Sequence, residues 1–231
     1  LATDGDFNVG ISSPRDLESF VERKRDSGIY LSVLGFGQGN YNDDLMQALA
    51  QTGNGNAAYI DTLNEARKVL VEEATSTLFP IANDVKIPVE FNPAAVSEYR
   101  LIGYETRLMN REDFNNYKFD AGDVGAGHTV TAIYEVTPKG SRAELVDPPR
   151  YGTTDTSPEL SGEYAFVKIR YKLPGDTESR LITEPVTAAN AEVSTEATFA
   201  AAVAAFGQIL RGGQYTKSFN YDDVMALASA N

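Results

Sequence analysis

The hydrophobic pattern of this 231-residue chain changes period twice, and those changes limit the folds it can adopt. From Leu1 to Phe79, short apolar runs alternate with amphipathic stretches of helical period. After Pro80 the period becomes two, and from about Ser194 it is helical again. Three alternations of strand and helix are typical of half a doubly wound, Rossmann-like α/β fold. The sequence therefore predicts an α/β part, a β-rich part and C-terminal helices.

The α/β part is predicted to hold three strands and three helices. Its strands are predicted at Leu1–Thr3, Ile29–Phe36 and Ala57–Ile60. The nearly continuous apolar run of the second strand indicates burial on both faces, as in a parallel sheet. Its helices are predicted from Pro14 to Gly28, around Asp43–Gln51, and from Thr62 to about Leu78. Ser13 and Thr62 are expected to cap the first and third helices.

The β-rich part shows alternating apolar residues and no helical period. Its strands are predicted around Val85–Phe91, Tyr99–Tyr104, Thr129–Val136, Ala165–Tyr171 and Arg180–Val186. A turn is predicted at Pro174-Gly175-Asp176, and it is expected to join the last two strands into a hairpin. These features favour an antiparallel, β-sandwich-like domain.

The changes of period also predict the domain boundaries. The α/β part should span residues 1–79, the β-rich domain 80–190, and a helical tail 191–231. The apolar stripe of the tail, Phe199 to Leu210, is expected to pack on the other parts. A last short helix is predicted around Tyr221–Ser229.

Composition excludes several classes of function. With 33 acidic and 20 basic residues, the formal net charge is −13, which argues against a nucleic-acid partner. The absence of cysteine excludes thiolate catalysis, zinc–thiolate sites and disulfides. No apolar run approaches the roughly 18 residues needed to span a bilayer.

The loop after the first strand contains the most distinctive polar residues. Asp4, Asp6 and Asn8 place three oxygen side chains in alternation where a parallel strand ends, which is where open α/β sheets bind ligands. Hard cations prefer such oxygen ligands. An EF-hand loop does not fit, because its required Gly would fall at Val9 and its Glu at Arg15.

Several longer strings resemble the later half of a von Willebrand factor type A domain, in a bacterial branch where a domain of unknown function follows. The first part of the resemblance is carried by Ala2-Thr3-Asp4-Gly5-Asp6-Phe7-Asn8, Val33-Leu34-Gly35-Phe36-Gly37 and Gly55-Asn56-Ala57-Ala58-Tyr59-Ile60-Asp61. The second is carried by Asp84-Val85-Lys86-Ile87, Tyr99-Arg100-Leu101-Ile102-Gly103-Tyr104-Glu105, Gly127-His128-Thr129-Val130-Thr131-Ala132 and Phe199-Ala200-Ala201-Ala202-Val203-Ala204-Ala205-Phe206-Gly207. Together they cover essentially the whole chain.

The resemblance implies a metal-ion-dependent adhesion site that binds a protein partner. In the family, the ligands come from three loops, and only the last of them, an Asp after the fourth strand, maps here, onto Asp4. The chain is therefore expected to hold no metal by itself, whereas the full-length protein could bind Mg²⁺ or Ca²⁺. The partner-binding surface is expected to include Asp6, Asn8, Gln38 and Asn40.

The start of the chain carries a further expectation. There is no initiator Met, and Leu1–Thr3 already has the character of a strand, so the chain is expected to begin inside a domain. That strand would then be an edge strand with unpaired backbone N–H and C=O groups. It is expected to pair with another copy, to be covered by the tail, or to fray.

Two rival functions remain open beside the protein-binding module. An enzyme has little support: His128, the sole histidine, lies in no recognisable triad, and Gly35-Phe36-Gly37-Gln38-Gly39-Asn40 departs from a dinucleotide loop at Asn40. The other rival is a structural or scaffold component of a cell-envelope assembly without metal dependence. The family also implies a periplasmic or cell-envelope location.

Overall fold

A computed structural model describes most of the chain, in ten segments. They are residues 1–4, 10–11, 13–37, 41–73, 79–104, 108, 122–147, 162–190, 193–213 and 215–230. The chain forms two compact units. The first comprises Leu1–Lys86, Asp120–His128 and Arg170–Arg180, and the second comprises Ile87–Phe119, Thr129–Ile169 and Leu181–Asn231.

Unit one begins with a three-stranded parallel sheet in the order β1-β2-β3. Its strands are β1 (Ala2–Thr3), β2 (Val33–Phe36) and β3 (Ala57–Ile60). Ala2 lies opposite Leu34, and Val33 lies opposite Ala57, so β2 is hydrogen-bonded along both edges. Strand β2 is four residues shorter than the predicted strand Ile29–Phe36. The reason is that the Leu31 N–H donates to the Gly53 carbonyl, in the turn after the second helix, and not to a neighbouring strand.

Three helices connect these strands and follow them. They are α1 (Pro14–Asp26), α2 (Asp43–Thr52) and α3 (Leu63–Arg67), the last continued by a π-helical turn, Lys68–Glu72. Thr62 caps α3 as predicted, because its Oγ1 accepts from the Glu65 N–H at 3.2 Å. Ser13 occupies the N-cap position of α1 as predicted, but its side chain makes no capping hydrogen bond.

The core of this part lies between the sheet and the first two helices. Five buried residues form it: Val21, Val33, Met46, Leu49 and Ala50. The turn after α2 passes so close to the segment before β2 that a Cβ on Gly55 would lie 2.0 Å from the Leu31 carbonyl oxygen. Glycine is therefore required there for a close backbone approach rather than for an unusual φ angle.

The rest of unit one is an antiparallel arrangement around strand β4 (Pro80–Lys86). On one side β4 pairs with β7 (Gly122–Gly125), and on the other with the C-terminal end of β9 (Glu163–Lys172). Both pairings are interrupted near Asp84, whose φ of 51° marks a bulge in the strand. The sequence pattern did not predict β7, since its four residues include two glycines.

The bulge buries a set of charged groups. The Asp84 carboxylate lies 2.9 Å from the Lys172 ammonium and 3.3 Å from that of Lys86, whose side chain is only 2% exposed. The Asp84 N–H donates to the Asp123 carboxylate at 3.2 Å. Buried ions of opposite sign compensate each other's desolvation, so removing one partner is far more costly than at the surface.

The described residues of unit two form paired β-strands and two α-helices. Strand β5 (Val89–Phe91) pairs with the first half of β9, and β6 (Val96–Ile102) pairs with β8 (Ile133–Pro138). Strand β10 (Arg180–Thr187) neighbours β9 after the predicted turn, in which Asp176 donates its N–H to the Leu173 carbonyl at 2.9 Å. The helices are α4 (Thr195–Leu210) and α5 (Tyr221–Ser229).

The prediction of a chain that mixes α-helices and β-sheets is confirmed. The sandwich packing, the doubly wound completion of the first sheet and the boundaries at 79 and 190 stay predictions. The inward packing predicted for the α4 stripe is wrong for Phe199, Val203, Phe206 and Leu210, which are all exposed, whereas Ala202 is buried. No helix in the described part of the chain is both long and apolar enough to cross a membrane.

We expect Gly55→Ala to lower the free energy of unfolding of unit one by about 1–3 kcal/mol, since the new Cβ would meet backbone atoms that cannot move aside. Gly122→Ala is the matched control, because nothing lies within 4 Å of a Cβ there. Urea denaturation followed by far-ultraviolet circular dichroism measures both. Equal shifts for the two variants would contradict the close approach.

Asp84→Asn should lower the free energy of unfolding by about 3 kcal/mol, because it removes a buried charge facing two ammonium groups. Asparagine tolerates a positive φ as aspartate does, so the variant separates charge from backbone strain. Glu90→Gln, which removes the exposed partner of Lys168, should cost under about 1 kcal/mol. Similar losses in the two variants would show that the Asp84 cluster behaves like a surface ion pair.

Candidate functional site

The candidate site is the edge of the parallel sheet at which all three strands end. Parallel strands end at one edge of a sheet, and ligands of open α/β folds bind there. Asp4 directly follows β1, Gly37 follows β2 and Asp61 follows β3. Both carboxylates are exposed, and α2 starts with a third, Asp43. This carboxyl edge is therefore acidic and open to solvent.

Asp4 lies beside the loop that leaves β2. A Cβ built on Gly37 would stand 3.8 Å from the Asp4 Cβ and 3.9 Å from the Asp4 carbonyl oxygen. Gly37 has a φ of 87°, the left-handed region in which L side chains are strained. The chain therefore turns away from β2 directly next to Asp4, and the positive φ, rather than lack of space, favours glycine at position 37.

Two tyrosines hold the end of β2 in place. The rings of Tyr41 and Tyr59 pack with centroids 4.9 Å apart and planes tilted by 44°. The Tyr59 hydroxyl donates to the Gly37 carbonyl. The Tyr41 ring lies against the backbone of Gly35, where a Cβ would stand only 2.0 Å from the ring. The two aromatic side chains thus link the end of β2 to β3 and to the start of α2.

The electrostatics of Tyr41 keep its hydroxyl neutral. Burial raises the pKa of the Tyr41 phenol above its ordinary value, with smaller contributions from the Asp43 carboxylate and from Tyr59. Its hydroxyl oxygen is buried and has no hydrogen-bond partner among the described residues. Tyr41 therefore packs as a ring, whereas Tyr59 also anchors a backbone carbonyl.

The donors in the described part of the chain do not complete a metal site. Those residues include no group of three or more His, Asp or Glu side chains that could surround an ion. Asp4 supplies one carboxylate at the edge, whereas Mg²⁺ requires several fixed oxygens because it gives up its water reluctantly. The described residues alone therefore do not fit the cation that the type A resemblance implies.

The structure places only some of the residues singled out from the sequence. Asp4 stands at the carboxyl edge, as expected for a residue after a parallel strand. Asp6, Asn8, Gln38 and Asn40 lie outside the described residues. His128 is exposed in the turn after β7, where its N–H donates to the Gly125 carbonyl at 3.1 Å.

Sequence reasoning missed the tyrosine pair that supports the edge. Tyr41 and Tyr59 come from different elements, and nothing in their local sequence shows that their rings meet. The available signal was Gly35, a glycine inside an apolar strand, which marks a close approach by another group. Here that group is an aromatic ring rather than a phosphate or a second backbone.

The order of elements in residues 1–72, with an aspartate on the carboxyl edge, agrees with the order expected from the type A resemblance in the sequence, and strand-rich segments follow it. The chain belongs to the family described as uncharacterized protein YfbK, C-terminal, whose model matches residues 76–231. The recognition made from the sequence, a protein whose later part is this family's C-terminal domain, is confirmed.

Two curated proteins are similar to the chain. It is 46% identical over 226 residues to the uncharacterized protein YfbK of Escherichia coli (strain K12), covering 97% of this chain and 39% of that protein. It is 28% identical over 155 residues to inter-alpha-trypsin inhibitor heavy chain H3 of Mesocricetus auratus, covering 63% of this chain and 17% of that protein. The chain thus spans less than two fifths of either relative.

Among solved structures, the chain is similar to the von Willebrand factor type A protein from Catenulispora acidiphila. The TM-score is 0.42 at 15% sequence identity, and the match covers 99% of this chain and 54% of that chain.

The two tyrosines should respond oppositely to loss of the hydroxyl. We expect Tyr59→Phe to lower the free energy of unfolding by about 1 kcal/mol, because the Gly37 carbonyl loses its donor. Tyr41→Phe should leave stability unchanged or raise it by up to about 1 kcal/mol, since its buried hydroxyl gains no hydrogen bond. Urea denaturation of both variants in one buffer gives the comparison, and a larger loss for Tyr41→Phe would contradict the assigned roles.

Proposed function

We propose that this chain is part of a protein-interaction module whose contact surface is the carboxyl edge of the parallel sheet. The observation that carries the proposal is the exposed Asp4 carboxylate, which stands at that edge next to Gly37. The similarity to type A proteins and the absence of a recognisable catalytic frame support binding rather than catalysis. That the chain is not an enzyme stays a prediction.

Rigidity of the edge supports a binding role. A surface that is already ordered loses less conformational freedom when a partner docks, so more of the contact energy appears as affinity. The hydrogen bond from Tyr59 holds the Gly37 carbonyl, directly after β2, and the Tyr41–Tyr59 packing supports that tyrosine before any partner arrives. Asp4 is therefore presented beside a backbone position that the two tyrosines support.

The acidity of the edge favours contact through a cation. Asp4, Asp43 and Asp61 are exposed there, on a chain whose formal net charge is −13. A partner that offered a carboxylate would be repelled unless a divalent ion lay between them. We infer that Asp4 contributes to a Mg²⁺ or Ca²⁺ site only together with oxygen ligands that the described residues do not supply.

Calorimetric titration with Mg²⁺ and with Ca²⁺ tests the proposal. The samples are the full-length protein that contains this chain, the 231-residue chain alone, and two full-length variants. We expect the full-length protein to bind one of the ions, Asp4→Ala to abolish that binding, and Asp61→Ala, at the same edge after β3, to preserve it. The isolated chain should bind neither ion at sub-millimolar concentration.

Two outcomes would overturn the assignment. Cation binding that survives Asp4→Ala places the metal elsewhere, and binding of equal strength by the isolated chain contradicts the need for further ligands. Loss of cation binding in Asp61→Ala as well as Asp4→Ala would indicate general attraction to the acidic edge rather than a defined site.

A scaffold role without metal is the alternative. It is favoured by the lack of any three-donor cluster among the residues that the structure describes. Under this alternative, the full-length protein binds neither ion, and chelation with EDTA leaves its assembly unchanged. A cell-envelope location would suit either function and stays a prediction.

A further inference from the structure

Helix α4 carries an exposed apolar stripe. Phe199, Val203, Phe206 and Leu210 lie four, three and four residues apart, the spacing of alternating d and a positions in a heptad. They are 52%, 54%, 43% and 63% exposed, respectively. The opposite face is engaged, since the Gln208 side chain accepts a hydrogen bond of 2.8 Å from Arg100 on β6. The stripe is therefore the outward side of a helix whose orientation is fixed.

The neighbouring helix extends this surface. Tyr221 at the start of α5 packs edge-to-face on Phe206, with ring centroids 5.9 Å apart. Met225, one turn further on, is exposed, while Val224 is buried. We call the six residues Phe199, Val203, Phe206, Leu210, Tyr221 and Met225 the α4 patch. It is continuous across a two-helix hairpin that is held by its own contacts.

The α4 patch is large for a surface without a partner. From their exposed fractions, the six side chains leave about 600 Å² open to water, the upper end of what a monomer usually exposes in one patch. One side of a stable protein–protein interface buries roughly 800 Å². The patch is thus large enough to form most of one side of such an interface.

We propose that the α4 patch is a dimer interface in which α4 of a second copy of this chain packs antiparallel on the first. The two-fold axis passes between Val203 and Phe206. In this register Val203 faces Phe206 of the second copy, and Phe199 faces Leu210 of the second copy. Each layer then sets an aromatic ring against an aliphatic side chain, and every contact occurs twice, as an isologous interface requires.

The antiparallel orientation follows from the ends of the helix. Glu196 lies in the first turn of α4 on the line of the stripe, and Arg211 directly follows the last turn. Antiparallel pairing brings Glu196 of one copy near Arg211 of the other and opposes the two helix dipoles. Parallel pairing would instead set Glu196 against Glu196, set Phe199 against Phe199, and align the dipoles.

Net charge sets the conditions under which the dimer forms. Each copy carries a formal charge of −13, so two copies repel each other at low ionic strength. Raising salt from about 0.05 M to 0.5 M shortens the Debye length from roughly 14 Å to 4 Å and screens that repulsion. The apolar contact is not weakened by salt, so the dimer should tighten as salt is added.

Sedimentation velocity of the 231-residue chain, at about 10–200 μM and at both salt concentrations, tests the association. We expect a monomer–dimer equilibrium that shifts to dimer with concentration and with salt. Val203→Glu should raise the dissociation constant at least about 100-fold, because it buries a charge at the centre of the contact. Ala197→Glu is the matched control, because it adds the same charge at an exposed position on the opposite side of α4 and should change the constant little.

The orientation has a separate readout. The sequence contains no cysteine, so Thr195→Cys gives a single exposed site for a spin label and leaves Glu196 and Arg211 in place. Two labels should lie about 28 Å apart in the antiparallel dimer, since 19 residues of helical rise separate them along the axis, and roughly 10 Å apart in a parallel one. The labelled protein must first sediment as the unlabelled chain does.

Three results would overturn the proposal. They are a chain that stays monomeric throughout the concentration range, a dimer that persists in Val203→Glu, and a label distance near 10 Å. Circular dichroism of each variant excludes unfolding as the cause of a lost dimer. Phe199→Lys, at the end of the stripe, gives a second disrupting variant should Val203→Glu not fold.

Discussion

The position of β2 between two parallel neighbours determines what unit one presents to solvent. Val33, fully buried on this strand, anchors a core that reaches α1 and α2, and both edges of the strand are hydrogen-bonded. Because β1, β2 and β3 run parallel, the residues after them meet at one edge, and Asp4 comes to stand beside Gly37. Without the central strand there would be no common edge and no site.

Close packing of glycine and tyrosine converts that topology into a defined surface. Gly35 leaves room for the Tyr41 ring, and the Tyr59 hydroxyl binds the carbonyl of Gly37. The glycine inside the sheet therefore leaves room for the ring that packs against it. Gly55 has a similar role, because its missing side chain lets the turn after α2 approach the segment that enters β2. A candidate binding edge is thus supported from within the core.

Each unit contains one arrangement that its strands and helices alone do not explain. In unit one, charged side chains are buried. Asp84 lies at a bulge close to two lysines, and the close pairing compensates the desolvation of the three charged groups. In unit two, the apolar side chains of the α4 patch are exposed to solvent, although those on α4 have the heptad spacing of helices that pack against another helix. The first arrangement is satisfied within the chain, and the second is completed by a second copy in the proposed dimer.

Local signals in the sequence determined those features that depend on residues near each other along the chain. The strand Ala57–Ile60, the helix Tyr221–Ser229, the cap at Thr62 and the turn at Asp176 all lie where periodicity and capping chemistry predict them. The position of Asp4 at a strand end was predicted in the same way, since topology follows from the order of elements.

Only the tertiary structure decided which distant groups meet. Tyr41 meets Tyr59, and Asp84 meets Lys172 across 88 positions, because separate strands bring them together. The tertiary structure also decided that Phe199 and the other apolar residues of its stripe are exposed. A periodic stripe shows which face of a helix is apolar, but it does not show which neighbour covers that face. Caps, turns and the positions of strands and helices depend on residues close together in the sequence, whereas burial and long-range pairing depend on where the rest of the chain packs.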